Sequence, residues 1–119
     1  MSYVDGFVVP VQKKRIKEYI RLAEKSKKIW KEYGALDYVE AVADDVKWGK
    51  TTSFRRAVKE KTNETVVFAY IVYKSRAHRD SVNKKVMKDP RLAEMCNPKN
   101  MPFDMRRMFF GGFKVAVSL

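Results

Sequence analysis

The chain has 119 residues, of which 34% are charged, and its formal net charge is +12. A chain of this length supports one hydrophobic core, so we predict a single domain over residues 1–119. Its apolar fraction of 45% is typical of a folded protein and argues against intrinsic disorder. One cysteine and one histidine exclude an intramolecular disulfide and a Cys/His zinc site, and we expect no bound metal and no cofactor.

The beginning of the chain lacks the pattern of a secretory signal. Its first basic residues follow a short apolar run, whereas a signal peptide places them before the run. No apolar stretch approaches the roughly 20 residues that a membrane-spanning helix needs. We therefore expect a soluble, cytoplasmic protein.

Hydrophobic periodicity predicts strands and helices in the order βαββαβ. Gly34 is suited to end the first helix, Ser75 to cap the second, and the pair Gly111-Gly112 to form a bulge or bend in the last strand. The predicted strands are residues 3–11, 36–43, 65–73 and 108–119, and the predicted helices are residues 13–33 and 75–88, with a short helical turn at 91–96.

This order predicts a fold with one uncovered sheet face. Right-handed crossovers place both helices on one side of a four-stranded antiparallel sheet, which is the α+β, ferredoxin-like arrangement. The third strand is nevertheless apolar on both faces, because alternate residues from Val66 to Tyr73 are apolar in each set. A second copy of the sheet would cover the free face, so we predict a homodimer of the dimeric α+β-barrel type.

Four segments carry a resemblance to a known family. They are YVDGFVVPV at 3–11, EYGALDYVEAVADDV at 32–46, SRAHRDSVNKKVMKDPRL at 75–92 and MPFDMRRMFFGGF at 101–113. On these segments the chain resembles the YbaA-like bacterial proteins, a small family without an established biochemical function. The resemblance runs nearly end to end. It implies a dimeric α+β-barrel fold and implies no activity.

Three polar residues stand where the pattern calls for core residues. Asp5 and Glu40 lie inside predicted strands, and His78 lies one turn before Val82 on the inward stripe of the second helix. In one interpretation these groups are structural: the histidine bonds a neighbour and the carboxylates form ion pairs. The arginines considered for those ion pairs are Arg56, Arg106 and Arg107.

In the other interpretation the same three residues are the polar groups of a cavity between the sheet and the second helix. Asp5 would then lie beside His78, because the first strand is central in this sheet. Aromatic candidates for the cavity walls are Tyr38, Trp48, Phe54 and Tyr70. The methionines from Met87 to Met108 are most simply interpreted as fillers of irregular gaps.

The first helix also carries a basic ridge opposite its apolar stripe. The ridge consists of Lys14, Lys17, Arg21, Lys25 and Lys28. It is either a solvated surface or a footprint for nucleic acid or another polyanion. Two functions therefore stay open: a small-molecule-binding barrel, enzymatic only by analogy of fold, and non-specific polyanion binding.

Overall fold

The computed structural model describes residues 2–119 and contains one four-stranded sheet with its two long helices packed on one side. The elements are β1 (Tyr3–Gln12), α1 (Ile16–Glu32), β2 (Asp37–Val42), α2 (Phe54–Ala57), β3 (Glu64–Tyr73), α3 (Arg76–Met87), α4 (Pro90–Met95) and β4 (Phe109–Lys114), and a turn of 3-10 helix precedes α1. All neighbouring strands are antiparallel, and their order is β2-β3-β1-β4. This is the predicted α+β, ferredoxin-like arrangement.

Local sequence signals set the ends of the helices. Gly34 has a φ of 108°, a left-handed conformation that glycine adopts without a steric cost, and it ends α1. Ser75 caps α3, because its hydroxyl accepts a hydrogen bond of 3.1 Å from the backbone N–H of His78. Asp89 caps α4 in the same way through the N–H of Arg91, and Pro90 occupies the first helical position.

The main core lies between the sheet and the helices. Ile71 and Tyr73 of β3 pack there with Val82 and Val86 of α3, and all four side chains are buried. A second part of this core forms around Tyr19 of α1, together with Val9, Val11 and Val67. These contacts bury the helix-facing residues of the two central strands, which therefore form the floor beneath the helices.

The opposite face of the sheet is only partly covered. Val58, which follows α2, packs there against Val8 and Val66 and is fully buried. Farther from α2, Phe68 and Phe113 remain exposed by 44% and 61%. The face that the sequence predicted to lack helices therefore carries exposed aromatic side chains.

The ends of β4 differ from the prediction. The strand stops at Lys114, because that residue pairs with Tyr3 at the start of β1 and little of β1 remains to pair with the chain beyond it. The predicted bulge at Gly111-Gly112 is wrong: both glycines pair in unbroken register with Gly6 and Asp5. Within residues 2–119, no helix combines the length and the hydrophobicity needed to cross a membrane.

Candidate ligand-binding cavity

A cavity of about 330 Å³ lies between the helix-facing side of the sheet and helices α1, α3 and α4. Phe7, Ala69 and Ile71 contribute to its floor. The helices contribute a mostly apolar roof that includes Leu22, Ala23, Trp30, Met87, Leu92 and Met95, and Met101, Phe103, Met108 and Phe110 complete the walls. This volume is at the lower end of the roughly 300–1,000 Å³ that is typical of small-molecule sites.

One polar group of the cavity is built around Asp5. This side chain is only 3% exposed, and its Oδ1 accepts a hydrogen bond of 3.1 Å from Arg79. Arg79 also donates to the hydroxyl of Tyr3 at 3.1 Å, and its guanidinium lies over the Tyr3 ring. Burial raises the pKa of Asp5, and this effect exceeds the opposing attraction of Arg79. Asp5 is therefore a buried carboxylate of the cavity lining that is paired with Arg79.

Asn83 extends this group toward the roof. Its Oδ1 accepts hydrogen bonds of 3.2 Å from the indole of Trp30 and from the hydroxyl of Tyr73. Because that oxygen accepts from two donors, the orientation of the side-chain amide is fixed, and its nitrogen points away from Trp30 and Tyr73. The proximity of Asn83 to Asp5 works against the rise in the carboxyl pKa.

A second polar group is centred on Glu40. The Tyr38 hydroxyl donates to Oε2 at 2.8 Å, and the Tyr19 hydroxyl donates to Oε1. Burial raises the pKa of both phenols, and the neighbouring carboxylate of Glu40 raises it further, so both stay protonated as donors. Phe103 meets the Tyr19 ring edge to face with centroids 5.6 Å apart, and Trp30 lies 6.1 Å from the Tyr38 ring. Two aromatic residues therefore bind the carboxylate through their hydroxyls, and two more rings pack against those residues.

The sheet register separates the two polar groups. Asp5 pairs with Ile71 on the next strand, and Ile71 pairs with Tyr38 on the strand after that. The backbones of Asp5 and Tyr38 are therefore two strand spacings, or about 10 Å, apart. Between them the floor is apolar. A ligand that reaches both groups therefore has polar ends joined by an apolar body.

Gly112 holds the Asp5 group in place by leaving room for Tyr3. A Cβ at position 112 would lie 2.2 Å from the Tyr3 hydroxyl oxygen and 2.8 Å from its ring. We expect Gly112→Ala to displace Tyr3 from Arg79 and to lower the free energy of unfolding by about 1–3 kcal/mol, measured by urea denaturation.

Gly111→Ala is the matched control, because a Cβ there would meet only the Phe113 ring at 3.7 Å, an ordinary contact. Its free energy of unfolding should change by about 0.5 kcal/mol or less. Equal destabilisation by the two substitutions would contradict a specific role for the space beside Tyr3.

The structure brings three of the predicted site residues to the cavity: Asp5, Tyr38 and Glu40 all line it. Other predicted wall residues lie on the opposite face of the sheet. Tyr70 alternates away from Ile71 along β3, and Phe54 packs edge to face on Phe68 of that same face. Trp48 lies against Arg56 in the segment between β2 and β3.

His78 does not line the cavity, and its predicted position beside Asp5 is wrong. Its Nδ1 accepts a hydrogen bond of 2.9 Å from the backbone N–H of Lys74, and its ring packs against Tyr73. The side chain that meets Asp5 is Arg79. The true inward stripe of α3 consists of Arg79, Val82, Asn83 and Val86, at helical spacings of three and four residues.

The arginines considered as partners for Asp5 and Glu40 bind other groups. Arg56 donates to the backbone carbonyls of Trp48 and Gly49. Arg106 and Arg107 form ion pairs with Asp104, and Arg107 also binds Glu64. Sequence reasoning missed Arg79 and Asn83, although their spacing of four residues, continued by Met87, was a signal that could have identified them.

The basic ridge of the first helix lies on the outer surface. All five of its side chains are exposed, on α1 and the turn before it: Lys14, Lys17, Arg21, Lys25 and Lys28. Ile20 is an exposed apolar side chain beside these basic residues, and no exposed aromatic side chain lies between them. The ridge therefore offers charge without a surface on which bases could stack.

Comparison with known proteins identifies close relatives. The chain is 49% identical over 114 residues to the uncharacterized protein YbaA of Escherichia coli K12, and the match covers 96% of each chain. An equally similar YbaA occurs in Shigella flexneri, also at 49% identity over 96% of each chain.

Solved structures at low identity share the fold. SnoaB of Streptomyces nogalater, a cofactor-independent oxygenase studied as the N63A mutant, superposes with a TM-score of 0.64 at 11% identity and covers 99% of this chain and 96% of its own. A dimeric ferredoxin-like protein from an uncultured marine organism superposes with a TM-score of 0.58 at 13% identity, with each chain covered completely. At such identities the likeness shows the ferredoxin-like fold and not the function.

A family model matches most of the chain. It is described as a protein of unknown function, DUF1428, and it matches residues 2–105. That range contains both polar groups of the cavity, with Asp5, Glu40 and Arg79. Together with the close relationship to YbaA, this match shows that the chain belongs to the DUF1428 family of proteins of unknown function.

Proposed function

We propose that the protein is a homodimer and that each protomer binds a small organic molecule in the cavity between its sheet and its helices. The observation that carries this proposal is the pair of carboxylates, Asp5 and Glu40, that face an otherwise apolar and aromatic cavity. Each carboxylate is held by partners from the protein, Asp5 by Arg79 and Glu40 by two phenols, so both have fixed positions on the cavity wall. Polar groups placed on an apolar cavity wall are typical of sites that fix the orientation of a ligand.

The other depression of the molecule is a weaker candidate. It has a volume of about 260 Å³ and lies on the opposite face of the sheet, beside Phe54 and Phe68. Its lining is apolar apart from Asp44 at its edge. It adjoins the exposed aromatic side chains of that face, so a second protomer packed there would cover it.

The exposed sheet face supports the dimer. Phe68, Phe109 and Phe113 together present a contiguous apolar surface, because β3, β1 and β4 are neighbours. Monomeric proteins rarely expose a large apolar patch of this kind, whereas interfaces bury such patches. The marine ferredoxin-like neighbour is dimeric, which supports the same arrangement for this chain.

Catalysis is an extension of this proposal. SnoaB is a cofactor-independent oxygenase, so one neighbour with this fold carries out chemistry. In the present chain, Asp5 lines the cavity and burial raises its pKa, a kind of perturbation that is common at catalytic sites. Binding is the part of the proposal that the cavity supports directly.

Methionine methyl groups provide the test. Four methionines line the cavity, namely Met87, Met95, Met101 and Met108, whereas Met105 lies outside it. We expect 2-phenylethanol, a neutral aromatic probe, to shift the ¹³C-methyl resonances of the four lining methionines in a saturable titration. The Met105 resonance should stay in place.

A blocking variant and its control complete the experiment. Ala23→Phe places a ring into the cavity from α1 and should weaken binding of the probe by about tenfold or more. Ala77→Phe adds the same ring at an exposed position of α3 and should bind the probe like the unmodified chain. Absence of saturable shifts at the four methionines, or equal weakening by both variants, would contradict the proposed site.

The basic ridge supports polyanion binding as a second candidate. Its five cations are solvated, and binding through them would be electrostatic and would weaken steeply with salt. The absence of aromatic side chains along the ridge makes it the weaker of the two candidates.

A further inference from the structure

The net charge of the cavity lining is opposite in sign to the net charge of the whole chain. The chain carries a formal net charge of +12, with 26 lysines and arginines. The charged residues that line the cavity are two carboxylates, Asp5 and Glu40, and one guanidinium, Arg79. The lining is therefore negative by one charge, inside a strongly basic protein.

Glu40, which is half-buried, is unusual among the buried and half-buried carboxylates of residues 2–119. Asp5, Glu64 and Asp89 are buried, and each forms an ion pair with an arginine. Glu60, whose side chain is 5% exposed, pairs with Arg55 in the same way. In the part of the chain that the structure describes, Glu40 forms no ion pair, and its side-chain partners are the phenols of Tyr19 and Tyr38.

The two phenols leave room for another donor. An ionised carboxylate offers about four lone-pair positions, and Tyr19 and Tyr38 occupy one on each oxygen of Glu40. The remaining positions have no donor from residues 2–119. A half-buried carboxylate is stabilised more by a charged donor than by a neutral one, because charge-assisted hydrogen bonds are roughly twice as strong as neutral ones.

The aromatic rings around Glu40 favour the same class of ligand. Trp30, Tyr38, Tyr19 and Phe103 form contiguous pairs on the cavity wall. The faces of aromatic rings attract cations, most strongly where water is excluded. The guanidinium at the other end, Arg79, already forms ion pairs with Asp5 and Asp80, so its charge is balanced within the chain.

We infer that the ligand is an organic amine, bound as the ammonium ion with its N–H groups on Glu40 and its apolar body along the floor formed by Ala69 and Phe7. This inference rests on the proposed function, since it assigns the ligand class of the same cavity. Glu40 supplies the counter-charge, and Tyr19 and Tyr38 hold the carboxylate in position.

The test compares three probes that share one body and differ in charge: 2-phenylethylamine, 2-phenylethanol and phenylacetate. Binding is followed through the methyl resonances of the lining methionines at neutral pH. We expect the amine to bind about tenfold or more tightly than the alcohol, as a charged donor on a sheltered carboxylate predicts. Phenylacetate should bind more weakly than the alcohol.

Two variants separate the charge of Glu40 from the charge of the chain. Glu40→Gln should remove the preference for the amine and leave the affinity for the alcohol within about threefold, since the cavity shape is kept. Glu94→Gln removes the same charge from an exposed position of α4 and should keep the preference. Thermal melting confirms that each variant is folded. If Glu40→Gln fails to fold, the relative affinities of the three probes for the unmodified chain still test the inferred ligand class.

The outcomes distinguish the ligand class from the site. An alcohol that shifts the four methionines as strongly as the amine would overturn the inferred ligand class and leave the cavity as a binding site. A preference for the amine that survives Glu40→Gln would overturn the role of Glu40. Failure of all three probes to shift the lining methionines would overturn the inference together with the proposed function.

Discussion

Arg107→Ala is expected to lower the free energy of unfolding by about 3–5 kcal/mol, because it leaves a buried carboxylate without its counter-charge. The guanidinium binds both oxygens of Glu64, at 2.8 and 2.6 Å, and Glu64 is buried at the start of β3. It also binds Asp104 at 2.9 Å and the backbone carbonyls of Val58 and Lys59. Urea denaturation measures the loss.

Arg106→Ala is the matched control for this prediction. Arg106 contacts Asp104 at 3.5 Å, but its side chain is 92% exposed, so its removal should change stability by about 1 kcal/mol or less. Similar losses from the two variants would show that the buried position of Arg107 has no special importance.

The same cluster predicts a dependence on pH. Hydrogen bonds from Arg107 hold the pKa of Glu64 below its ordinary value of 4.5 and help to lower that of Asp104 to about 2. Carboxylates with lowered pKa values stabilise the folded state above their unfolded pKa, and this contribution is lost as the pH falls through the folded pKa. Stability should therefore fall between about pH 4.5 and pH 2, and less steeply in Arg107→Ala.

Phe68→Glu is expected to dissociate the proposed dimer, raising its dissociation constant by about 100-fold or more. The substitution places an unpaired carboxylate of each protomer in the apolar interface, where like charges also repel. In the monomer, position 68 is 44% exposed, so the new side chain can be hydrated and the fold kept. Sedimentation equilibrium should show a species of 13.9 kDa.

Ile20→Glu provides the control for Phe68→Glu. Ile20 is 45% exposed on α1, on the helical side of the sheet, so the two substitutions match in hydrophobicity, exposure and added charge. Ile20→Glu should leave the assembly unchanged. A stable folded monomer of the unmodified chain at micromolar concentration would contradict the dimer itself.

Periodicity predicted most of the fold. The strands and the two long helices follow from repeats of two and of about 3.6 residues, and Gly34 and Ser75 mark ends that the structure confirms. The short helix α2 was missed, because four residues are too few to show a repeat. The end of β4 depends on where its partner strand begins, which is a long-range property.

The cavity was predicted less completely. Tyr38 and Glu40 share a face of β2, so their joint position followed from strand alternation. On α3, the apolar residues Val82 and Val86 fit an inward stripe that begins at position 78 or at position 79. The sequence contains a polar residue at both. The spacing of Arg79, Asn83 and Met87 favours position 79, and the packing of α3 against Asp5 confirms it.

The side chains of Trp48 and Phe54 could not be placed from local pattern. They lie in the long connection between β2 and β3, where no repeat relates a residue to a face of the sheet. Their position depends on Val58, which anchors the connection against Val8 and Val66. This contact joins residues distant in the sequence.

The alternation of side chains along β3 limits how the length of this strand can vary among members of the family. Ala69 and Ile71 face the cavity, while Phe68 and Tyr70 face the other side, so one backbone separates the two surfaces. Deleting Val67 while the rest of the strand keeps its register would turn Phe68 and Tyr70 inward to fill the cavity, and would leave Ala69 and Ile71 on the opposite face. Single-residue insertions and deletions in β3 should therefore be absent among relatives that keep both surfaces, whereas substitutions on either face remain possible.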